Sequence, residues 1–574
     1  MSFRDAVKDA LAVALGDQAA GLDLDRMLSP PKKAEMGDLA FACFPLAKVE
    51  KRPPPAIAAD LAARVQAGGM IGRVEASGPY LNFFANPAGQ LEDVAQRVAT
   101  GAFFDALRTD APRRVMIEFS QPNTHKTFHV GHLRNVCLGD ALVRTMRARG
   151  HDVVPVNYYG DFGIDVAKCL WWLTTKDVGE PPATGRTAWL GAAYSAANAV
   201  LETDEVARVE VREVLRRMEE GEPEITALYQ QTRQWCLDEF ADVYAWLGVG
   251  FEHDFFESEL EEPAQQLVDD YLDKGVFVES EGAVICDLEP DGLVPALVRK
   301  SDGASLYMTW DLALARRKFD DFGIEQSMYV VGSEQTLHFQ QLFATLRNMG
   351  YDRAKDCRHV AYELVMLPEG KMSSRKGTAT PFHELRQGVM DAIEQKMRGE
   401  DRSERADWSE TTWHETARRV ATACLKYGML HVGNTRRVIY KLEDWTNPEG
   451  DTGAYLLYTL ARISGIFRKA GEGVDLSAGV GAGGDYGSEA ERGLLNHLLR
   501  YGDVVARAES ETDPSVIAHF LFEAAKKFSR FYQECPVLKA DPDTRRARLA
   551  LAKVTETVLT HGLDLLGIEP VDAM

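Results

Sequence analysis

Two short segments carry residue types suited to phosphate chemistry. His129-Val130-Gly131-His132 sets two imidazoles three positions apart, a spacing that brings both to one face at the start of a helix. Gly131 between them leaves room for a nucleotide to approach the backbone. Lys371-Met372-Ser373-Ser374-Arg375-Lys376-Gly377 gathers three cations and two hydroxyls in seven residues. Such a loop can follow the charge of a triphosphate as pyrophosphate departs, which is electrostatic stabilisation of a transition state. Each segment has a plain alternative: a pair of capping or surface histidines, and a solvated basic turn. Their occurrence together, in this order and 242 positions apart, favours the phosphate reading.

The elements that must position them are legible. Val115-Met116-Ile117-Glu118-Phe119 is an apolar, β-rich run suited to a buried parallel strand. Leu133 to Gly150 has apolar residues at helical spacing, with Arg144, Arg147 and Arg149 near its end and Gly150 to stop it. Val153 to Val156 follows as a second apolar strand. This is a βαβ unit whose loop opens onto a helix N-terminus, a natural anion site. The basic loop follows another apolar strand, Leu364 to Leu367.

Length and composition limit the possibilities. A chain of 574 residues with 45% hydrophobic and 26% charged content is a soluble globular protein, of about three or four domains by length. The start lacks a basic-then-apolar signal pattern, and no run has the length of a membrane span. The eight cysteines are scattered without a CxxC pair. That argues against a zinc knuckle and a disulfide framework, and it fits a reducing cytosol. Net charge is −22, and residues 441–574 hold 15 Lys and Arg against 21 Asp and Glu. This argues against a tight, nonspecific nucleic-acid binder, so neither a DNA nor a membrane partner is expected.

The stretch from Glu118 to Asn135, EFSQPNTHKTFHVGHLRN, resembles the arginyl-tRNA synthetases. These class I aminoacyl-tRNA synthetases carry Ser-x-Pro-Asn-x-x-Lys-x-Phe-His-x-Gly-His-Leu-Arg at this point. The resemblance continues through Gly37 to Ala40, Gly78 to Phe83, Asn157 to Gly163, Gly450 to Tyr458, Phe528 to Leu538 and Gly562 to Ile568, with the chain ending on Met574. The implied fold class is α/β. Residues 111–400 are expected to form a doubly wound parallel-sheet catalytic domain, interrupted by a helical insertion over about 170–285. Residues 1–110 are expected as an N-terminal α+β domain that contacts tRNA, with Pro53-Pro54-Pro55 as a rigid break. Residues 401–574 are expected as an all-helical anticodon-binding domain, apart from the glycine-rich 478–484 loop.

The resemblance also implies a reaction and its participants. L-arginine and ATP would give arginyl-adenylate and pyrophosphate, and the arginyl group would pass to the 3′ end of tRNA(Arg). Activation would depend on bound tRNA. Mg²⁺ would arrive with ATP, without zinc, a prosthetic group or a dedicated protein metal site. A cytoplasmic monomer is expected.

Residue roles follow from the same likeness. Lys126, His129, His132 and Lys371 are the implied catalytic groups. ATP would be held by His129, Gly131, His132, Lys371, Met372, Ser373, Ser374, Arg375 and Lys376. Arginine would be held by Glu118, Gln121, Asn123, His132, Tyr307, Asp311 and Gln335. Asp311 is assigned to the guanidinium, Tyr307 to the side chain, and Asn123 and Gln335 to the α-ammonium end. Tyr307 and Asp311, four apart, also suit an ordinary helix start where Asp is favoured by the macrodipole. Glu118 equally suits a strand-end carboxylate paired with a neighbour. Tyr440, Trp445, Asn447 and Tyr455 are the candidates for tRNA bases, although aromatics at 455 and 458 also suit a helix core.

Two positions depart from the family pattern. Ser374 stands where the usual Lys-Met-Ser-Lys loop has its second lysine; Lys126 is the expected substitute, and Arg375 or Lys376 could do the same if the loop shifts register. After Asp161 the family often continues Gly-x-Gln-Phe-Gly, whereas this chain has Gly163-Ile164-Asp165-Val166-Ala167-Lys168. Two other classes share part of this pattern. A small nucleotidylyltransferase would share His-x-Gly-His but has no use for the long helical C-terminus. A non-catalytic tRNA-binding paralogue sits poorly with intact Lys126, His129, His132 and Lys371. Within the synthetases, the cysteinyl and glutamyl enzymes are the nearest alternatives. The lack of a cysteine-zinc cluster argues against the first, and a carboxylate-rich pocket argues against the second.

Overall fold

Val115, Met116 and Ile117 are all but fully buried, so their strand is covered on both faces, as an all-parallel sheet requires. That strand, β1 (Arg114–Glu118), is the centre of a five-stranded sheet. The elements that carry the site follow in chain order as α1 (Val130–Ala148), β2 (Asp152–Tyr159), α2 (Ile164–Thr175), α3 (Arg186–Leu201), β3 (His253–Phe256), α4 (Tyr307–Phe322), β4 (Gln326–Gly332) and β5 (Cys357–Tyr362). The strand order is β5-β4-β1-β2-β3, every pair parallel. The chain winds outward from β1 to β3, then crosses back for β4 and β5. This reversal opens a crevice beyond the C-terminal ends of β1 and β4, where open α/β sheets bind their ligands.

The computed structural model describes residues 3–31, 33, 36–301, 306–368, 370–371, 380–399, 407–471, 475–476, 480 and 486–574. Met372, Ser373, Ser374, Arg375 and Lys376 lie outside the described residues, and of Lys371 only the backbone is described. Most of the 478–484 loop also lies outside them.

The helical insertion, expected over about 170–285, occupies less of the chain than that. Its continuous run of helices ends at Leu247, β3 rejoins the parallel sheet at His253, and one more helix, Glu261–Asp273, follows. Beyond it a three-stranded antiparallel sheet (Phe277–Ser280, Ala283–Cys286, Ala296–Arg299) forms that the helical reading missed. Its strands are four residues long, too short for alternation to stand out.

The N-terminal region is a four-stranded antiparallel sheet packed by helices, with a core of Val7, Leu11, Phe41, Leu61, Leu81 and Phe83 among others. The triproline read as a rigid break starts a helix, Pro54–Arg64, since proline's fixed φ and missing N–H are tolerated in the first turn. Leu91, Val94, Phe103 and Leu107 join the large core shared by the catalytic and helical regions instead.

Helices dominate the C-terminal region, but Val438–Ile439 is a short strand parallel to Val365–Leu367, an exception to the all-helical expectation. Two buried cations fasten this region to α1. Arg134, fully buried, donates to the carbonyls of Glu363 (2.6 Å), Arg436 (2.8 Å) and Gly433 (3.2 Å). Lys426 donates to the Gly567 carbonyl at 2.6 Å and lies 3.5 Å from Asp140.

Candidate active site

The loop from β1 to α1 is held in an unusual backbone conformation. Ser120, Gln121 and His125 all have positive φ (78°, 48° and 60°) without being glycine, at a cost of about 1–3 kcal/mol each. Side chains from neighbouring elements impose it. Asn135 of α1 accepts from the Ser120 N–H (2.7 Å) and donates to Gln121 Oε1 (3.0 Å) and to the Val330 carbonyl of β4 (2.9 Å). Asn157 of β2 accepts from the Gln121 N–H at 3.0 Å. His125 is enclosed between Thr124 Oγ1 (2.9 Å) and Thr232 Oγ1 (2.8 Å), and burial draws its pKa down to about 3.

His129 and His132 form a reciprocal cap on α1. Nδ1 of His129 accepts from the Gly131 N–H at 3.1 Å, and Nδ1 of His132 accepts from the His129 N–H at 3.2 Å. The rings stack with centroids 4.0 Å apart. Burial pulls His129 down to about 4, and burial, with His129 and Lys126 adding to it, holds His132 well below its ordinary value. Both rings are therefore neutral near pH 7, and a neutral imidazole accepting at Nδ1 carries its proton on Nε2. They offer a phosphate two N–H donors rather than two charges. A Cβ at Gly131 would fall 2.8 Å from Cε1 of His129. The glycine thus makes space for the histidine cap, a nearer need than the nucleotide access expected of it.

The histidine segment is tied to the residues that follow the basic segment in the chain. The Val130 N–H donates to the Thr380 carbonyl at 3.3 Å, and the Phe382 N–H to the Phe128 carbonyl at 2.9 Å. The chain returning from the basic loop is therefore fastened to the histidine segment. Lys126, three residues before His129, pairs with Asp165 at 2.7 Å.

A carboxylate-rich pocket lies beside this loop. Asn123 bridges to Gly160 at the end of β2, where a Cβ would meet Asn123 Oδ1 at 2.4 Å and Glu257 Oε1 at 3.5 Å. Asp311 on α4 pairs with His338 Nε2 at 2.6 Å; burial opposes the imidazolium, but Asp311 outweighs it and raises the His338 pKa. Asp161, fully buried, binds Arg233 (2.7 Å), Tyr229 OH (3.2 Å) and both the N–H and hydroxyl of Ser258 (2.9 and 2.8 Å), fixing the turn that carries Glu257. Burial, then the fields of Asp311, Glu257, Glu118 and Asp161, push the Tyr158 phenol well above its ordinary range.

Three of these four carboxylates have a basic partner: Lys318 for Glu118, Arg233 for Asp161, and the His338 imidazole for Asp311. Glu257 has none among the described residues, and burial followed by Asp161 and Asp311 holds its pKa well above the carboxylate range. Sequence reasoning missed Glu257. Its available signal was a carboxylate directly after the buried strand end Phe255-Phe256.

The remaining arginine candidates fare differently. Glu118 takes the paired reading: it lies 2.5 Å from Lys318, and its other oxygen accepts from Gln121 Nε2 at 2.9 Å. It shapes the site through Gln121 and is no free carboxylate. Tyr307 is 58% exposed at the start of α4, its ring edge-on to Trp310. Gln335 is exposed in the turn after β4.

In the helical region the tRNA candidates separate. Trp445 is buried under Gly428, where a Cβ would fall 2.4 Å from the indole, so its ring is a packing element. Tyr440 packs edge-on against it at 4.9 Å. Asn447 accepts from the Glu449 N–H at 3.0 Å in a tight turn. The half-buried Tyr455 lies 3.2 Å from Ser529 Oγ. The open rings are Tyr458 (43% exposed) and Tyr532 (42%), which sequence analysis did not select. They line a cavity of about 600 Å³ with Arg462, Arg468, Lys539 and Met574. The Arg462 guanidinium lies over both rings, at 4.8 and 5.6 Å.

A parallel sheet read at its switch point, with a histidine-capped helix after the central strand, is the catalytic scaffold of a class I aminoacyl-tRNA synthetase. Family models agree: class I (R) tRNA synthetase catalytic domain matches residues 95–442, DALR anticodon binding domain residues 456–574, and arginyl tRNA synthetase N terminal domain residues 1–85. The chain is 37% identical to an arginine–tRNA ligase of Bdellovibrio bacteriovorus, over 99% of this chain and 98% of that one. It is 33% identical to one of Exiguobacterium sibiricum over 100% of both. The arginyl-tRNA synthetase of Thermus thermophilus shares its fold at a TM-score of 0.76 and 26% identity, covering 100% of each chain. The chain belongs to the arginyl-tRNA synthetase family.

Proposed function

We propose that this chain is a cytoplasmic arginine–tRNA ligase. A carboxylate oxygen of L-arginine attacks the α-phosphorus of ATP, the bond to pyrophosphate breaks, and arginyl-adenylate remains. A terminal ribose hydroxyl of tRNA(Arg) then attacks the activated carbonyl, forming the ester and releasing AMP. The observation that carries the assignment is Glu257: a buried carboxylate beside Asp311 with no cation of its own. A guanidinium supplies that charge and can meet two carboxylates with its planar fork. Asn123, which flanks Gly160 together with Glu257, and Gln335 serve the α-ammonium end, with Gln121 and Tyr307 at the pocket's edge.

His129 and His132 donate to the phosphates as neutral imidazoles. Lys126, with Lys371, Ser373, Ser374, Arg375 and Lys376, takes up the charge of the departing pyrophosphate. Mg²⁺ enters with ATP and shields the phosphate charge. Bases of tRNA stack on Tyr458 and Tyr532, with Tyr440, Asn447 and Tyr455 along the same region and Trp445 supporting Tyr440 from beneath. The buried ties of Arg134 and Lys426 give the helical region a rigid route to α1, which supports tRNA-dependent activation. ATP–pyrophosphate exchange with each of the twenty amino acids, with and without tRNA, tests the assignment. Exchange for arginine alone, appearing with tRNA, is the expected result. Exchange for another amino acid, or for none, refutes it.

A further inference from the structure

Lys126 does not reach into the crevice unaccompanied. One oxygen of Asp165 holds its ammonium at 2.7 Å, and the other holds Lys168 at 2.8 Å. Asp165 and Lys168 share the first turns of α2, in the segment where this chain departs from the family's Gly-x-Gln-Phe-Gly. The buried ring of Tyr194 on α3 lies beneath both ammoniums, at 5.2 Å from Lys126 and 5.7 Å from Lys168. The three charged side chains are only about a quarter exposed or less. Burial favours the neutral acid, but Lys126 and Lys168 outweigh it and hold Asp165 down to about 2. Lys126 is also close enough to depress His132 and to act on Glu257, so it stands between the phosphate donors and the carboxylate pocket.

We propose that Asp165 and Lys168 are positioning residues for Lys126: Asp165 docks it before ATP arrives, and Lys168 keeps Asp165 paired once Lys126 turns to the phosphates. This rests on the role assigned to Lys126 in the proposed reaction. The physical need is specific. A lysine leaving a lone, largely buried carboxylate would strand a negative charge beside an incoming polyanion, a penalty comparable with the gain at the phosphate. A second ammonium already bound to the other oxygen removes it. Lys126 can then move between partners while the carboxylate stays neutralised, and the aromatic face of Tyr194 favours a cation throughout.

A double-mutant cycle on ATP–pyrophosphate exchange tests this, using the full chain with arginine and tRNA. The variants are Lys126→Met, Lys168→Met and the two combined. Lys168→Met is expected to lower kcat about tenfold, within the range of coupling in a shared charge network, with KM for ATP changed less than about twofold. In the Lys126→Met background the same substitution should have no further effect. Asp165→Asn should lower kcat and KM for ATP together, because it frees both lysines and removes a negative charge, while Asp165→Glu restores both values. If Asp165→Asn does not fold, the lysine cycle decides alone. Multiplicative effects of the two lysine substitutions, or full activity in Lys168→Met beside a slow Lys126→Met, overturn the proposal. Full activity in Lys126→Met removes the role of Lys126 itself, and the proposal with it.

Discussion

Glu118 and Lys318 meet at 2.5 Å with side-chain exposures of 4% and 0%, between β1 and the helix that carries Asp311. The pair ties the strand before the histidine segment to the helix of the carboxylate pocket. Removing one member of such a pair leaves an uncompensated buried charge. Lys318→Met is expected to destabilise the fold by about 3–5 kcal/mol, measured by urea denaturation. Glu118→Gln combined with Lys318→Met should recover much of that loss, and equal losses in the single and double variants would contradict the pairing argument.

Arginine binding should release a proton. Burial, then the fields of Asp161 and Asp311, hold the Glu257 carboxyl well above its ordinary pKa, and a guanidinium favours its ionised form. Affinity for arginine should therefore fall as pH drops below the pKa of Glu257. Calorimetric titration in buffers of different ionisation enthalpy reads the proton directly. Glu257→Gln should raise KM for arginine about 100-fold, the scale for removing one member of a desolvated charge pair, abolish the proton release, and leave KM for ATP within a few-fold of wild type.

Acid should act on stability through His125. Its folded pKa, about 3, lies below the ordinary histidine value of 6.5 because the ring is fully buried. The unfolded chain then binds the extra proton first as pH falls. The stability contributed by the neutral ring is complete above pH 6.5 and is lost progressively toward pH 3. His125→Asn should be less stable than wild type at pH 7.5, with the gap narrowing through this window in chemical denaturation at stepped pH. A gap independent of pH would show that packing, and not protonation, sets the difference.

Tyr458 and Trp445 should behave oppositely. Stacking of one base on an aromatic ring is worth about 1–3 kcal/mol, so Tyr458→Ala should raise KM for tRNA about tenfold at an unchanged melting temperature. Trp445→Ala should lower the melting temperature, since its indole fills the space under Gly428. A Trp445→Ala protein of normal stability with weakened tRNA binding would reverse the two assignments.

Much of the catalytic core was readable because its signals are local. Val115 to Phe119 reads as a buried strand, and Leu133 to Gly150 as a helix that stops at a glycine, here at φ 92°. The short antiparallel sheet at 277–299 was not readable, because four-residue strands leave too little pattern. The exposure of Trp445 and Tyr458 was not readable for a related reason. Trp445 closes the short helix Leu442–Trp445 and Tyr458 lies in the second turn of Gly453–Ala470, and nothing within a turn of either shows which ring will lie under Gly428 and which will face solvent.

By itself, the sequence determined the family and the central βαβ unit of the catalytic sheet, since these follow from residue type and short spacing, and it supplied the candidates for phosphate handling. The tertiary structure alone decided which charges are already neutralised. Glu118, Asp161 and Asp311 are paired with Lys318, Arg233 and His338, partners 27 to 200 positions away. Glu257 is left without one among the described residues. Charge balance in a pocket is a property of three-dimensional proximity and burial, and no spacing along the chain encodes it.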